Sequence, residues 1–475
     1  MASKAKPLPR LFPPRPRSAV FLFILPVDNF TKAGPFERPG LVVCGLTKEA
    51  KTAKISGNMA EPKRKVYLDY GATTPVSREV FLAMEPYFSE KFGNASSIHF
   101  MGEEAAQTVQ KAREQVAEYL GAAPEEIIFT SGATESNNLT IKGVAKKFHA
   151  QNPGKKPHII TTKIEHHCVI DSIKSLEEAG QIEATYLGVS NEGIVELEEL
   201  KSAIKENTIL ISVMYVNNEI GTVQPIKEIG RLIKELNDKR EQKILFHTDA
   251  VQAVNYFDCE VGNLGVDFLS FSGHKIYGPK GVGVLYVKKG SSLARIQDGG
   301  SHEFGLRAGT LNVPGIVGVG EAIEQIRKEK EKNAEFVKKL RDKLIAGILE
   351  NIPGAYLNGS REMRSPNNAN LRFDNVEGEA LLYALSFEGI AVSTASACAS
   401  KSLKPSHVLN ALGLPPEQAH GSVRITLGKY LEEEDINYVL ETFPMVIEKL
   451  RQVSGSVLQE RLKEKEERLP EDFGC

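Results

Sequence analysis

Four short segments of this 475-residue chain carry residue types that could act together on one ligand. The first, Ser131-Gly132-Ala133-Thr134, follows a predicted strand over 127–129 and opens a predicted helix over 135–150. Small residues let the backbone approach a ligand, and the free amides and dipole of a helix start favour an anion. Two hydroxyl groups can donate to the same anion. The segment therefore favours a phosphate site, although an ordinary strand-to-helix turn with an N-cap would have the same pattern.

A lysine ends the second segment, the tight glycine loop Ser270-Phe271-Ser272-Gly273-His274-Lys275, between predicted strands over 268–271 and 282–287. A lysine amine that is desolvated in such a loop becomes a nucleophile able to bond a carbonyl carbon. A solvated loop lysine is the alternative, because lysine is almost never fully buried.

The other two segments carry an acid and an aromatic ring. Asp249 lies just beyond a predicted strand over 244–246 and precedes Gln252. A carboxylate there could hold a protonated pyridine, or it could serve as a structural N-cap. Glu165-His166-His167-Cys168 follows a predicted strand over 158–161 and could bind a metal or offer a flat ring for stacking. Metal is the weaker interpretation, because no second ligand pair lies nearby in sequence.

A phosphate cradle, an amine nucleophile, an acid for a pyridine nitrogen and a stacking ring together match what pyridoxal phosphate (PLP) requires. A fifth segment bears on the reaction, because Cys398 lies in the small-residue run STASACASKS over 393–402. Small side chains favour mobility, so this thiol could swing between an active site and an acceptor at the surface. A buried or incidental thiol is the alternative.

Helical and strand patterns alternate along the chain with short connections, which predicts an α/β fold on a largely parallel sheet. Ligands in such sheets bind at the carboxyl ends of strands, where the chemistry-bearing residues cluster. The remaining predicted elements are helices over 77–92, 103–120 and 321–350 and strands over 66–70, 209–213, 369–373 and 390–393.

The late strands after a charged helix predict a second, smaller α+β domain. We therefore expect a large domain that binds the cofactor and a small domain formed by two separate parts of the chain. The predicted ranges are 1–58 for an extension, 73–320 for the large domain, 59–72 with 321–453 for the small domain, and 454–475 for a charged tail.

Composition excludes several classes of protein. With 41% hydrophobic residues, 25% charged residues and a net charge of −2, the chain has a globular composition and gives no case for direct nucleic acid binding. Its five cysteines are few, odd in number and lack CxxC spacing, so neither a disulfide framework nor a zinc knuckle is predicted. We expect a reducing compartment, the cytoplasm.

Residues 1–58 differ from the rest, because they hold 10 basic against 3 acidic residues. Their apolar run over 19–27 is far too short to span a bilayer. We interpret this stretch as a dispensable extension. An organelle-targeting peptide is the alternative, and it would place the protein in mitochondria. No membrane partner is predicted.

With these segments together, the chain resembles the fold-type I PLP enzymes, and specifically the cysteine desulfurases of the NifS/IscS type, from Val66 to about Leu450. The resemblance implies a PLP cofactor, the class-V aminotransferase-like fold, and conversion of L-cysteine to L-alanine with the sulfur left as a persulfide on the enzyme. It is carried by LDYGATTP (68–75), TSGATESNN (130–138), EH (165–166), VNNEIG (216–221), HTDAVQ (247–252), SGHK (272–275), RAGT (307–310) and SAC (396–398).

The resemblance also implies roles for single residues. Lys275 would bond the cofactor as a Schiff base and remove the substrate α-proton, while Asp249 would pair with the pyridine nitrogen. His166 would stack on the ring and assist proton transfers. Arg424 would bind the substrate carboxylate together with Asn218, since a guanidinium fork suits that group. The other cofactor contacts would be Asn218 and Gln252 near the ring oxygen, Ala133, Thr134, Ser272 and His274 at the phosphate, and Thr310 reaching the phosphate from the partner subunit.

Sharing a site across a two-fold axis makes a homodimer the expected state. Cys398 would be the nucleophile toward the substrate sulfur. The Ala/Ser-rich loop around it resembles that of desulfurases that hand sulfur to scaffold proteins, so the expected partner is an iron–sulfur scaffold protein or another sulfur acceptor, including one for tRNA thiolation. No resident metal is predicted, and Cys398 would at most ligate an iron–sulfur cluster during transfer.

Three other functions compete with this one. A selenocysteine lyase would share every cofactor residue. A nucleotide-binding dehydrogenase would need a strand–GxGxxG–helix unit followed by an acidic residue, and a nucleotide P-loop would need a Gly-Lys-Ser/Thr ending; neither pattern is present. A catalytically inactive scaffold would be expected to lack Lys275 or Cys398, and both are present.

Overall fold

The computed structural model describes residues 64–394 and 405–466. The predicted extension over 1–58, Cys398 and the end of the predicted tail lie outside the described residues. Within them, no helix is both long enough and apolar enough to cross a membrane.

The strands are short, as expected of an α/β protein. Many are rich in β-branched residues and buried along their whole length, because helices cover both faces of the sheet that they form. In chain order they are β1 (Val66–Tyr67), β2 (Ile127–Thr130), β3 (His158–Thr162), β4 (Glu183–Leu187), β5 (Thr208–Ser212), β6 (Leu245–Asp249), β7 (Phe268–Ser272), β8 (Gly283–Val287), β9 (Ala355–Leu357), β10 (Asn368–Phe373), β11 (Ile390–Ala391), β12 (Ser393–Thr394) and β13 (Ser422–Thr426).

The helices include long amphipathic ones that cover the sheet and short ones that close loops. In chain order they are α1 (Arg78–Met84), α2 (Pro86–Ser89), α3 (Phe100–Leu120), α4 (Ala133–Gln151), α5 (His167–Glu178), α6 (Leu197–Ala203), α7 (Ile226–Asn237), α8 (Val261–Leu264), α9 (Val313–Asn351), α10 (Gly378–Phe387), α11 (His407–Ala411), α12 (Pro416–His420) and α13 (Glu433–Glu466).

The largest sheet has seven strands in the order β2-β8-β7-β6-β5-β3-β4. The neighbours from β7 to β4 are parallel, and β8 is antiparallel to both β7 and β2. This mixed, mostly parallel sheet between helices confirms the predicted α/β fold. Its parallel strands bring the loops after β3, β5, β6 and β7 to one edge, which is where a ligand site is expected.

A second sheet of four antiparallel strands, β12-β13-β10-β9, lies in the later part of the chain. It has its own hydrophobic core, to which α13 contributes Ile436, Val439 and Phe443. The long helix α9 serves both cores, because Ile316 and Ile323 in its first half pack in the core of the large sheet, whereas later residues pack in the second core. The domain boundary at 320–321 stays a prediction, and α9 passes continuously through it.

Two predicted elements differ from the observed ones. The predicted helix over 77–92 is divided into α1 and α2 and ends at Ser89. The division falls at Pro86, because proline lacks the N–H that a continuous helix would need there. The last helix, in contrast, continues beyond the predicted start of the tail, to Glu466.

The predicted strand over 66–70 is limited to β1, because the chain changes partners along it. Val66 pairs with Ile390 in a two-stranded parallel sheet, whereas Asp69 forms an isolated bridge with Thr426 in β13. The predicted strand over 390–393 is divided in the same way, since β11 pairs with β1 and β12 pairs with β13. These changes of partner bring residue 69 and the turn after it beside β13.

Candidate active site

A cavity of about 690 Å³ opens at the carboxyl ends of the large sheet's strands. A cavity of this size suits a cofactor together with a small substrate. Residues that the sequence analysis identified in separate segments line this cavity. On one side it is closed by β13 of the second sheet. The sequence-predicted residues that line it are Ala133, Thr134, His166, Asn218, Asp249, Gln252, Ser272, His274, Lys275 and Arg424.

The start of α4 forms one wall. Its N-cap is Gly132, which has no side chain to bond the amides of the first turn, and binding of phosphate at this turn stays a prediction. The helix has 19 residues and its first amides belong to cavity-lining residues, which leaves its dipole and N–H groups available to an anion. Ser272 and His274 line the same cavity from the end of β7. Burial lowers the pKa of His274 to about 4, so its ring is neutral at pH 7.

Asp249 ends β6 and is 5% exposed. Its Oδ2 accepts a 2.8 Å hydrogen bond from Asn137 Nδ2, and its Oδ1 accepts one of 3.0 Å from the Val251 amide. These bonds fix the carboxylate at the cavity wall, where its charge can stabilise a cation. The contact with the Val251 amide is a local turn contact, so Asp249 has a structural role, and its role as the acid for a pyridine nitrogen stays a prediction.

Lys275 is half-buried, so the alternative of a solvated loop lysine is wrong. Its Nζ donates to the carbonyl oxygens of Gly71 at 2.5 Å and Ala72 at 2.7 Å. Gln252 Nε2 donates to the same Gly71 oxygen at 3.1 Å. The turn over 69–72 therefore holds the amine at the cavity, which both the turn and Lys275 line.

Gly71 is required where this turn approaches β13. Its amide donates a 2.7 Å hydrogen bond to Thr426 Oγ1, and a Cβ at this position would lie 2.9 Å from Thr426 Cγ2. A larger residue would push the carbonyl oxygens of the turn away from Lys275. The turn thus connects the second sheet to the lysine.

His166 lies at the N-cap of α5, with Nδ1 accepting a 3.2 Å hydrogen bond from the Cys168 amide. Burial lowers the pKa of His166, although Asp249 acts in the opposite direction. Cys168 Sγ lies 3.0 Å from His166 Nδ1, and burial raises the pKa of the Cys168 thiol to about 12. Cys168 is therefore a packed thiol and not a thiolate. The described residues hold no cluster of three or more potential metal ligands.

Arg424, on β13, is 6% exposed and faces the cavity. Its Nη1 donates to the Asn218 carbonyl at 3.2 Å, and its Nη2 donates to Asp69 Oδ1 at 2.9 Å. Its Nε is buried and has no acceptor among the described residues. A buried guanidinium with an unsatisfied N–H beside a cavity is suited to an anionic ligand.

The segment that carries Cys398 begins and ends beside this cavity. Before it, Ser393 lines the cavity and pairs with Arg424 across the sheet. After it, Ser406 Oγ donates a 2.5 Å hydrogen bond to Oε2 of Glu219, the residue next to Asn218. The described residues on either side of this segment therefore contact Arg424 or the neighbour of Asn218.

Two predicted residues are not among those that the structure brings together. Thr310 is exposed and does not line the cavity of its own chain, so its place in a partner's site stays a prediction. Cys398 lies outside the described residues, so its role also stays a prediction.

Sequence reasoning missed Asn137 and Asp69, which contact the acid and the arginine of the site. Asn137 could have been found, because it lies four residues before Ile141 on the apolar face of α4, where a buried polar side chain needs a partner. Asp69 was quoted only as part of a motif, and its partner is 355 residues away.

Comparisons with known proteins agree with this site. The aminotransferase class-V family matches residues 66–439. "Cysteine desulfurase IscS" of Dictyoglomus turgidum is 52% identical over 82% of this chain and 97% of its own length. A solved NifS-like protein is 41% identical over 81% of this chain and 100% of that chain, with a TM-score of 0.75. SspA, solved in complex with cysteine, is 38% identical over 78% of this chain and 100% of that chain, with a TM-score of 0.68.

The family match includes the strands of both sheets that form the cavity. The family match and the identity to the curated relative each reach well beyond what a shared fold alone would give. The chain therefore belongs to the class-V aminotransferase family, among the cysteine desulfurases of the NifS/IscS type.

Proposed function

We propose that this protein uses PLP to take the sulfur from L-cysteine, leaving L-alanine and a persulfide on Cys398. One observation carries the proposal: Lys275, Asp249, Arg424 and the start of α4 line a single cavity. Each supplies a different chemical property, and a desulfurase needs all four. The relatives named as cysteine desulfurases support the same reaction.

The residues present fit PLP. An uncapped helix start with Ser272 beside it suits the phosphate, and the buried carboxylate of Asp249 suits a protonated ring nitrogen. The buried, unsatisfied Nε of Arg424 suits the carboxylate of an amino acid bound next to the cofactor. When bound, PLP supplies an aldehyde carbon for the amine and a ring that withdraws electrons from the substrate's α-carbon.

Lys275 has two duties in this proposal. Its amine would hold the cofactor at rest, and as a free amine it would be the base that takes the proton from the substrate's α-carbon. The carbonyl oxygens of Gly71 and Ala72 accept hydrogen bonds from Nζ, so they stabilise the ammonium form that exists once the proton has moved.

Arg424 and Asn218 orient the substrate. A carboxylate bound by the guanidinium would fix one end of L-cysteine within the cavity. His166 is neutral because burial lowers its pKa, so it is able to accept a proton near the ring.

Cys398 is within reach of this cavity. It follows Thr394 by four residues, so the chain allows it at most about 14 Å from that fixed point. Its thiolate attacks the substrate sulfur, a sulfur–sulfur bond forms, the carbon–sulfur bond of the substrate breaks, and the electron pair left on carbon takes up a proton. The products are a persulfide and alanine, so no external oxidant or reductant is needed.

The acceptor of the sulfur is the finer part of the proposal. The name IscS among the relatives supports supply of sulfur to iron–sulfur cluster assembly, with an iron–sulfur scaffold protein as partner and tRNA thiolation as a further use. We also propose a homodimer in which Thr310, which is exposed and does not line its own cavity, reaches the phosphate of the partner's site. The low cysteine count, five in 475 residues, supports a reducing compartment such as the cytoplasm.

Lys275→Ala tests the proposal. We expect the purified variant to lose the visible absorbance of lysine-bound PLP and to form no alanine from cysteine. Lys289→Ala is the matched control, because Lys289 is exposed after β8, does not line the cavity and should keep both signals. An unchanged spectrum in Lys275→Ala would overturn the assignment.

A further inference from the structure

The guanidinium of Arg424 is already paired with a carboxylate. Its Nη2 donates to Asp69 Oδ1 at 2.9 Å, and the Arg424 and Asp69 side chains are 8% and 21% exposed. Both residues line the cavity. The charge that would attract the substrate's carboxylate is therefore partly balanced before any substrate arrives.

The main chain fixes Asp69 in this position. Its carbonyl accepts hydrogen bonds from the Tyr67 hydroxyl at 2.9 Å and from the Ala72 amide at 3.0 Å. Its backbone also bridges to Thr426, two residues beyond Arg424 on β13. The carboxylate is thus held beside the arginine by a rigid turn, the same turn whose carbonyl oxygens hold Lys275.

We propose that Asp69 acts as a built-in competitor for the substrate carboxylate, and so limits how tightly Arg424 holds L-cysteine and L-alanine. This inference rests on the proposed function, because it takes Arg424 as the carboxylate-binding group. Asp69 is a positioning residue that acts through Arg424. Besides pairing with the guanidinium, it sets the affinity of Arg424 for the carboxylate of the substrate and of the product.

The affinity of Arg424 for an anion depends on whether its charge is compensated. A guanidinium this buried attracts an anion strongly when its charge is uncompensated, because water screens it little. With Asp69 beside it, an incoming carboxylate meets a second negative charge on the same guanidinium, and the repulsion cancels part of the attraction. The unsatisfied Nε still offers a hydrogen bond, so binding becomes weaker and stays specific.

The consequence concerns turnover. The product alanine keeps the carboxylate of the substrate, so an arginine that binds this group too tightly would retain the product as well. An interaction of equal strength with substrate and product does not accelerate the chemical step. Asp69 shifts the balance toward release while leaving the orientation of bound cysteine intact.

Asp69→Asn separates charge from shape, because asparagine keeps an oxygen for Arg424 Nη2 and removes the negative charge. The probes are propionate and 3-mercaptopropionate, which resemble alanine and cysteine but lack the amine that could interact with Asp69 directly. The full chain loaded with PLP is titrated with each probe by ligand-detected NMR, and each is tested as a competitive inhibitor against cysteine.

We expect Asp69→Asn to bind both probes roughly tenfold more tightly, with a lower KM for cysteine and stronger inhibition by alanine. Asp267→Asn, which removes a similarly buried ion-paired carboxylate away from the cavity, should bind the probes as the parent protein does. Unchanged or weaker probe binding in Asp69→Asn would overturn the inference.

Arg424→Met tests whether Arg424 is the carboxylate-binding group, independently of the role of Asp69. Loss of probe binding in Arg424→Met, combined with unchanged binding in Asp69→Asn, would reject the role of Asp69 alone. Unchanged probe binding in Arg424→Met would reject Arg424 as the carboxylate site, and with it the substrate-binding part of the proposed function.

Discussion

Ser406 donates a 2.5 Å hydrogen bond to the buried carboxylate of Glu219. This bond ties the chain just after the segment containing Cys398 to the turn that carries Asn218. Burial raises the pKa of Glu219 to about 7, against the lowering effects of the Ser406 bond and the Arg424 charge. Ser406 also caps α11, since its Oγ accepts from the amides of Val408 and Leu409.

Ser406→Ala should therefore slow sulfur transfer without loss of the cofactor. The change removes the donor to Glu219 and the cap of α11, which costs about 1–3 kcal/mol of unfolding free energy. We expect the rate of persulfide formation to fall several-fold while the PLP absorbance and the KM for cysteine stay unchanged. Ser406→Thr, which keeps the hydroxyl, should restore the rate. Loss of PLP in Ser406→Ala would contradict this account.

Glu165 makes stability depend on pH. Complete burial raises its pKa from 4.5 to about 8, although bonds from the Met214 amide and Thr162 hydroxyl act in the opposite direction. A carboxyl with a raised pKa favours the folded state while it is protonated, so this stabilisation is full below about pH 4.5 and is lost as the pH rises through 8.

Glu165→Gln, a neutral residue of the same shape, should remove that dependence. We expect the unfolding free energy of the parent protein, relative to the variant, to fall by roughly 1 kcal/mol per pH unit across this window, measured by urea denaturation. Taking the difference between the two proteins cancels the contribution of buried His158 and His247, whose pKa values are lowered by burial. A difference that stays constant from about pH 5 to pH 8 would be incompatible with a protonated Glu165.

Much of the site could be predicted because Asp249, Lys275 and His166 lie at the end of a strand or within four residues after it. Asp249, Lys275 and His166 were taken from separate segments, and parallel pairing of β3, β5, β6 and β7 brings them to one edge. The phosphate-binding turn before α4 was recognisable from its small residues and its place between strand and helix. Local pattern and a general rule of sheet geometry were sufficient for these positions.

The pairs that close the cavity could not be predicted in this way. Asp69 and Arg424 are 355 residues apart, and Glu219 and Ser406 are 187 residues apart. The first contact depends on the bridge between Asp69 and Thr426 of β13, and the second joins the start of α11 to the loop after β5. No local periodicity specifies such long-range pairs. The division of the helix predicted over 77–92, in contrast, could have been predicted from Pro86 alone.

Asn137 should support the cofactor through Asp249. Its Nδ2 donates to Asp249 Oδ2 at 2.8 Å, so Asn137→Ala leaves that carboxylate with one hydrogen bond fewer in a buried place. We expect PLP to dissociate about tenfold more readily, measured by equilibrium dialysis and absorbance. Asn138→Ala is the matched control, since Asn138 bonds only to the Thr134 carbonyl on the exposed side of the same helix. Equal PLP affinity in both variants would show that Asp249 needs no support from Asn137.

The central claim is that sulfur from cysteine passes to Cys398, and mass spectrometry of the digested protein after incubation with L-cysteine tests it most directly. We predict that the peptide containing Cys398 gains the mass of one sulfur atom. Burial raises the pKa of the Cys168 thiol to about 12, so the peptide containing Cys168 should stay unmodified. Cys398→Ser should keep the PLP absorbance and acquire no persulfide. A persulfide on Cys168, or one that persists at undiminished yield in Cys398→Ser, would contradict the account.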